Sequence, residues 1–470
     1  MNTATLPEDL IHLRQFLPRI IARLEEKIPY VSALVTQEYG FALRLDRKQE
    51  SMSETVPKRG IVFTLCNGRF FQEWATDRLD PEFLWSKAND MLRLWEQMPR
   101  QDALFTIDPG ERLDAHFVSP FVIDPDEIDL EDVTAELHAS INRIHALDSR
   151  LVSVQAHYSD GHEHKIFANR NRLLSSSLTT CAFRAVAVGT HNGSTHMNFC
   201  GQGGVMGFEA VRIPESALVG MVDDLRLLFE SRPIDPGEYT VISSPEVSGI
   251  LAHEAFGHGV EADMFAKERA KAASFLGKTI ASEQIDMFDD PSLPGLMGSY
   301  YFDDEGMPAR PTQIIRGGVL INALTDLRSA TVLKLPRTSN GRRESFERKV
   351  YARMSNTYFQ KGASSIESMI ESVDDGLYLK KSSSGMEDPK GWGIQVGINL
   401  AQQIRNGRLT SKTFAPSTIT GFVPDVLSSI SMVGDTLEFM GDGGHCGKGH
   451  KEMVRVTAGG PALKFKARLG

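Results

Sequence analysis

Two imidazoles and a carboxylate crowd one short stretch, Leu251-Ala252-His253-Glu254-Ala255-Phe256-Gly257-His258-Gly259, in a chain of 470 residues with only 13 histidines. The pattern is that of a zinc hydrolase. In the common H-E-x-x-H arrangement, ligands four apart lie about 40° apart around an α-helix, so both grip one ion while the glutamate works on water. Here the second histidine comes one residue late. Five residues turn a regular helix by about 500°, which aims His253 and His258 about 140° apart and away from a shared tetrahedral ion. A π-type bulge absorbs one extra residue and restores a common face, and Gly257 is the expected source of the backbone freedom. The bland alternative is a helix end carrying two surface histidines and an acid.

The segment has company. Downstream follow Gly298-Ser299, Phe302-Asp303-Asp304-Glu305-Gly306, Ser339-Asn340-Gly341-Arg342-Arg343, Arg353-Met354-Ser355-Asn356-Thr357, Asp388-Pro389, Gly407 and Gly444-His445-Cys446-Gly447-Lys448. In that order these motifs resemble the TldD/PmbA family of metallopeptidases, in particular its TldD-type, metal-carrying branch. The likeness is densest from Val241 to Lys448 and extends more weakly to Tyr30 to Asp77. It implies three zinc ligands, His253, His258 and Cys446, with Glu254 as the catalytic carboxylate. A catalytic zinc with three protein ligands and an open fourth position accepts such a set.

Two departures from the family pattern stand out. Where the family reads C-G-K-x-G-Q, this chain has Cys446-Gly447-Lys448-Gly449-His450. His445 and His450 therefore bracket the cysteine and compete with it as third ligand; a soft thiolate at the family's own position favours Cys446. Glu261 and Asp263 resemble the family's H-G-x-E-x-D continuation and either orient a ligand histidine or serve as ordinary capping charges. Arg342, Arg343, Arg353 and Asn356 match family motifs and are expected to line or brace a substrate cleft, with structural ion pairing the equal alternative. The resemblance further implies a homodimer, or a heterodimer with a related subunit, enclosing the site, and unfolded peptides as substrates.

The chemistry expected is peptide hydrolysis, with Glu254 as general base on zinc-bound water and then as proton donor to the leaving amine. Two other readings stay open. One is a non-catalytic partner or scaffold subunit of a TldD/PmbA-type complex, which predicts a degraded metal motif. The other is a metal-dependent amidase acting on non-peptide substrates.

The rest of the chain must position this segment. Composition is ordinary for a globular protein, 41% hydrophobic and 24% charged, and the formal charge of -10 argues against nucleic acid as the main partner. Four cysteines without C-x-x-C spacing point to a reducing compartment. With neither a signal-like start nor an apolar run long enough for a membrane span, a cytoplasmic location and no membrane partner are expected. The fold class expected is α+β: an N-terminal α/β sandwich-like region, then a β-rich C-terminal domain carrying the metal-binding helix. Segments are placed at 1–110, at 111–232 as a central part packing with the first, and at 233–470, the last boundary resting on Arg232-Pro233-Ile234-Asp235-Pro236-Gly237. Apolar spacing predicts a helix from Leu10 to Leu24 with a kink at Pro18, one started by Asp80-Pro81, one from about Pro125 to Leu147, and one from Ala217 to Phe229. Short strands are expected at Tyr30 to Thr36, Phe41 to Leu45 and Gly60 to Cys66, and an antiparallel group between Leu151 and Gly189. His162-Glu163-His164 reads as a surface strand.

Overall fold

The computed structural model describes residues 2–3, 5–97, 102–448 and 451–470. Among these residues, the first half of the chain builds one twisted seven-stranded sheet. Its order is Phe71–Thr76, Glu50–Cys66, Tyr30–Leu45, Leu151–Asn169 and Arg172–His191, the last bordered by Leu113–Val118 and Ser194–Gly204 along its two ends. Tyr30–Leu45 pairs antiparallel with Leu151–Asn169 from Ser32 opposite Asn169 to Leu45 opposite Ala156. Strands from 1–110 and 111–232 thus share one hydrogen-bonded sheet.

Four helices lie on one face of this sheet: α1 (Glu8–Glu25), α2 (Pro81–Glu96), α3 (Leu130–Leu147) and α4 (Glu215–Phe229). Alternation along a strand explains why one face can be apolar throughout. Ile166 and Ala168 meet α1 and α2 at one end, while Val154, Ala156 and Tyr158 meet α3 and α4 at the other. α1 buries Leu10, Leu13, Leu17, Ile20, Ile21 and Leu24 and runs through Pro18, which lies on its exposed side. Asp80 caps α2 by accepting from the Phe83 amide at 2.8 Å. The opposite face packs Leu34, Val62, Phe167 and Leu174 on Phe302 of the C-terminal half.

The C-terminal half contains a closed barrel. Gly237–Ser243 pairs in parallel with Asp375–Asp388, and antiparallel with Leu463–Leu469; Gly393–Arg405 and Ser417–Phe422 complete the ring. Val241, Leu377, Leu379, Val396, Ile398 and Phe465 belong to the largest apolar core. A second sheet runs Val319–Leu320, Thr312–Arg316, Met287–Asp289, Asn356–Phe359, Lys451–Gly460 and Glu438–Phe439, and the short strand Gly444–Lys448 folds back on Lys451–Gly460. Helix α5 (Pro245–Ala252) leaves the first barrel strand with Ser244 as its cap and Pro245 in its first turn. Among the described residues, turn-rich sequence hides four further short helices, Ala262–Ala266, Leu327–Leu333, Ile366–Glu371 and Val423–Ser428. No helix among the described residues is long and apolar enough to cross a membrane.

Candidate metal centre

α5 does not stop at Ala252. It continues as a π-helical turn over His253–Gly257 and a 3-10 turn over His258–Val260. This is the wide turn that spacing by five demands: the two imidazoles come together with ring centroids 5.2 Å apart. Gly257 does not serve by backbone freedom, because its φ of -62° and ψ of -52° are open to any residue. It serves by room, since a Cβ there would lie 2.1 Å from Met354 Sδ.

The third donor arrives from the second sheet. Ligand atoms of His253, His258 and Cys446 all lie within 4.8 Å of one another. Cys446 Sγ is 3.2 Å from His258 Nε2. On the strand Gly444–Lys448 neighbours point to opposite faces, so Cys446 is buried toward the histidines while His445 is exposed. His450 falls outside the described residues. Burial would raise the Cys446 thiol, but His253 and His258 reverse this and bring it down to about 5. His258 is opposed by burial yet held well above the usual histidine value by Glu261 and Cys446. The pair thus shares charge as thiolate and imidazolium, an arrangement in which a divalent cation can take the proton's place.

Glu261 accounts for the orientation of His258. Its Oε2 lies 3.3 Å from His258 Nδ1, leaving Nε2 for the donor cluster. The carboxylate is itself fixed by Arg353 Nε at 3.2 Å and Lys448 Nζ at 2.9 Å, and it is 1% exposed. Burial would raise its pKa, but Lys448, His258 and Arg353 hold it well below the usual carboxylate range. Arg353 also donates to the Cys446 carbonyl at 2.7 Å and to the Glu452 carbonyl, tying helix and hairpin together. Asp263 pairs with Lys448 and Lys267 rather than with His253 or His258.

Above the donors opens a cavity of about 610 Å³ lined by Glu254, Glu387, Met264, Met386 and Met440 among others. Glu254 lies against Gly385, where a Cβ would come 2.2 Å from its Cγ, so only glycine leaves the carboxylate its place. Arg342 and Arg343 border a different, polar cavity of about 210 Å³. Arg342 donates to the carbonyls of Met354 and Arg455, and Arg343 to Glu73 and the Arg348 carbonyl. Asn356 is fully buried, its amide donating to the Asp290 carbonyl and Ser299 Oγ. Of these four, Arg353 alone touches the donor residues.

Elsewhere, His162 and His164 are not on a surface strand: both are buried, His162 stacked on Tyr39 and His164 bonded to Ser177 Oγ at 2.9 Å. Sequence reasoning assigned no role to Lys448, whose three-way contact with Glu261, Asp263 and the Ala352 carbonyl no local pattern announces. Glu387 was missed as well, although it stands directly before Asp388-Pro389.

The residues present fit a zinc ion. Two imidazoles and a low-pKa thiol form a sound donor set, and the buried Nδ1 of His253 has no hydrogen-bond partner. Comparison with known proteins agrees in kind. Residues 236–468 match the model of the PmbA/TldA metallopeptidase C-terminal domain. A metalloprotease of Methanocaldococcus jannaschii is 30% identical over 74% of this chain and 76% of its own length. A metalloprotease TldD homolog of Haemophilus influenzae is 30% identical over 72% of each chain. The crystal structure of TldE from Thermococcus kodakarensis, 16% identical, shares the fold with a TM-score of 0.74 over 97% of this chain and 99% of that one.

Proposed function

Because this chain belongs to the TldD/PmbA family of metallopeptidases, we propose that it is a zinc-dependent peptidase that hydrolyses peptide bonds in short or unfolded peptides. The observation that carries the proposal is the convergence of His253, His258 and Cys446 beside Glu254 on the floor of one cavity. When bound, a zinc ion supplies Lewis acidity, lowering the pKa of a water and polarising the peptide carbonyl. Glu254 accepts the proton of the attacking water and returns it to the leaving amine nitrogen. His258 is presented through Nε2 because Glu261 occupies its Nδ1 side, and Arg353 and Lys448 keep Glu261 ionised and in place. The intact donor set favours this reading over a scaffold subunit. An extended chain can enter the cavity, whereas a folded domain must first open locally at a cost of several kcal/mol.

We take the working form to be a dimer, with a second copy or a related family subunit, and the location to be cytoplasmic, which the free cysteines Cys66, Cys181, Cys200 and Cys446 support. The test is Glu254→Gln in the zinc-loaded protein with an unstructured peptide. Zinc content should stay near one per chain while turnover falls by about 10² or more, the scale of general acid–base catalysis. Normal turnover by the variant would remove Glu254 from the mechanism. Absence of cleavage by the zinc-loaded parent protein would favour the scaffold reading.

A further inference from the structure

The polar cavity of about 210 Å³ bordered by Arg342 lies between the N-terminal sheet and the C-terminal half, and none of the three metal donors lines it. Most of its charges satisfy one another. Lys165 Nζ lies 2.9 Å from Asp304 and 3.6 Å from Glu163, Arg455 lies 2.9 Å from Glu163, and Arg343 turns away to Glu73 at 2.8 Å. Four lining charges, the cations Arg342 and Lys58 and the acids Glu38 and Glu344, have no ion-pair partner within 4.0 Å among the described residues. Two of each sign are thus held apart in one small space.

Arg342 and Glu38 show complementary deficits. The buried Arg342 guanidinium rests on the Tyr300 ring, 4.9 Å from its centre, and donates through Nη1 to the Met354 and Arg455 carbonyls at 2.7 Å each. Its Nε and Nη2, the edge by which arginine takes an oxyanion side-on, bond to no described residue. Burial lowers its pKa against Tyr300 and Asp304, so the charge is short of an anion. Glu38 stands between Lys58 and Glu163 in the strand pairing, and burial and Glu163 hold its carboxyl up to about 7 against Arg455 and Lys58. It is short of a cation. Glu344 already accepts from the Glu452 amide at 3.0 Å, and Lys58 is exposed with His445 at the cavity mouth.

We propose that this cavity binds a free α-amino acid with a short side chain, its carboxylate on Nε and Nη2 of Arg342 and its ammonium group on Glu38. A zwitterion carries both missing charges on one carbon. A bare anion would meet the unpaired acids Glu38 and Glu344, and a bare cation would meet Arg342 and Lys58; burying either charge against a like one is costly. The carboxylate matches the two parallel donors of the guanidinium edge, and the ammonium group supplies three donors to Glu38. The small volume restricts the side chain, and the exposed mouth at Lys58 and His445 gives entry from solvent. The site is separate from the metal centre and stands whether or not the chain cleaves peptides.

The experiment is calorimetry on the zinc-loaded full chain at neutral pH with three probes: L-alanine, L-alaninamide, which keeps only the positive charge, and N-acetyl-L-alanine, which keeps only the negative one. The parent protein should bind about one L-alanine per chain, and each single-charge probe at least tenfold more weakly. Arg342→Gln and Glu38→Gln should each weaken L-alanine binding at least tenfold while zinc content stays at the parent level. Absence of saturable binding by the parent protein overturns the proposal. N-acetyl-L-alanine binding as tightly as L-alanine makes this a simple anion site, equal binding of L-alaninamide makes it a simple cation site, and either result overturns the zwitterion assignment. Binding of L-alanine that survives both substitutions places it elsewhere, the metal included, and overturns the proposal too. If Arg342→Gln does not fold, Glu38→Gln and the comparison of the three probes on the parent protein decide the matter.

Discussion

Replacing Glu261 with glutamine leaves the shape of the site intact and takes out the one charge on which its electrostatics turn. Glu261 faces His258 Nδ1 at 3.3 Å, Arg353 Nε at 3.2 Å and Lys448 Nζ at 2.9 Å from a position 1% exposed. Removing one member of a buried ion pair costs roughly 3–5 kcal/mol because the partner's charge stays buried. The lower end applies here. Arg353 retains the Cys446 and Glu452 carbonyls, Lys448 retains Asp263 and the Ala352 carbonyl, and glutamine can still accept one hydrogen bond. A loss of about 3 kcal/mol lowers the melting temperature by roughly 6–12 °C for a unit of this size. Loss of the carboxylate behind His258 should weaken zinc binding by about 10–100-fold. Thermal melts with and without chelator, and zinc competition against a chromophoric chelator at fixed pH, read both numbers. Adding Arg353→Met should recover part of the lost stability but none of the zinc affinity, since it removes the stranded charge without restoring the ring's partner. Unchanged melting and zinc affinity in Glu261→Gln would refute the assignment of Glu261 as the group that orients His258.

Gly257→Ala should cost about 1–3 kcal/mol by overpacking, because its Cβ would meet Met354 Sδ at 2.1 Å. The cost should shrink in a Met354→Ala background; equal costs in both backgrounds would show that backbone conformation, not space, selects glycine. Burial and the neighbouring Glu163 push the Glu38 carboxyl up to about 7, so its neutral form suits the fold. The associated stability is present below the ordinary carboxylate value and lost as pH climbs through about 7. Glu38→Gln, which mimics the neutral acid, should therefore exceed the parent protein by about 1–3 kcal/mol at pH 8 and match it at pH 4 in urea unfolding. The same difference at both pH values would contradict this.

The site was legible where covalent spacing forces geometry. Histidines five apart cannot share an ion on a regular helix, so the π turn at His253–Gly257 follows from counting residues. Strand alternation, invisible until Gly444–Lys448 is known to be a strand, is what separates Cys446 from His445. Long-range partners leave no local trace: Lys448 and Arg353 meet Glu261 across more than ninety residues, and Glu387 reaches Gly259 across 128. In the fold, apolar periodicity located α1 to α4. Tyr30–Leu45 reads as two short pieces because Gln37, Glu38 and Gly40 interrupt its apolar run, and Glu50–Cys66 reads as its last part alone because its first half, with Glu50, Ser51 and Ser53, is exposed. The barrel could not be read at all, since closing it depends on Gly237–Ser243 meeting Leu463–Leu469 from the other end of the domain.

The central claim is that one zinc ion is held by two imidazoles and the Cys446 thiolate. X-ray absorption at the zinc edge of the purified, zinc-loaded protein tests it directly. The account predicts about one zinc per chain, two imidazole nitrogens at roughly 2.0–2.1 Å and a single sulfur at roughly 2.3 Å, with the sulfur lost in Cys446→Ala. A first shell without sulfur, or a spectrum unchanged by Cys446→Ala, would contradict it.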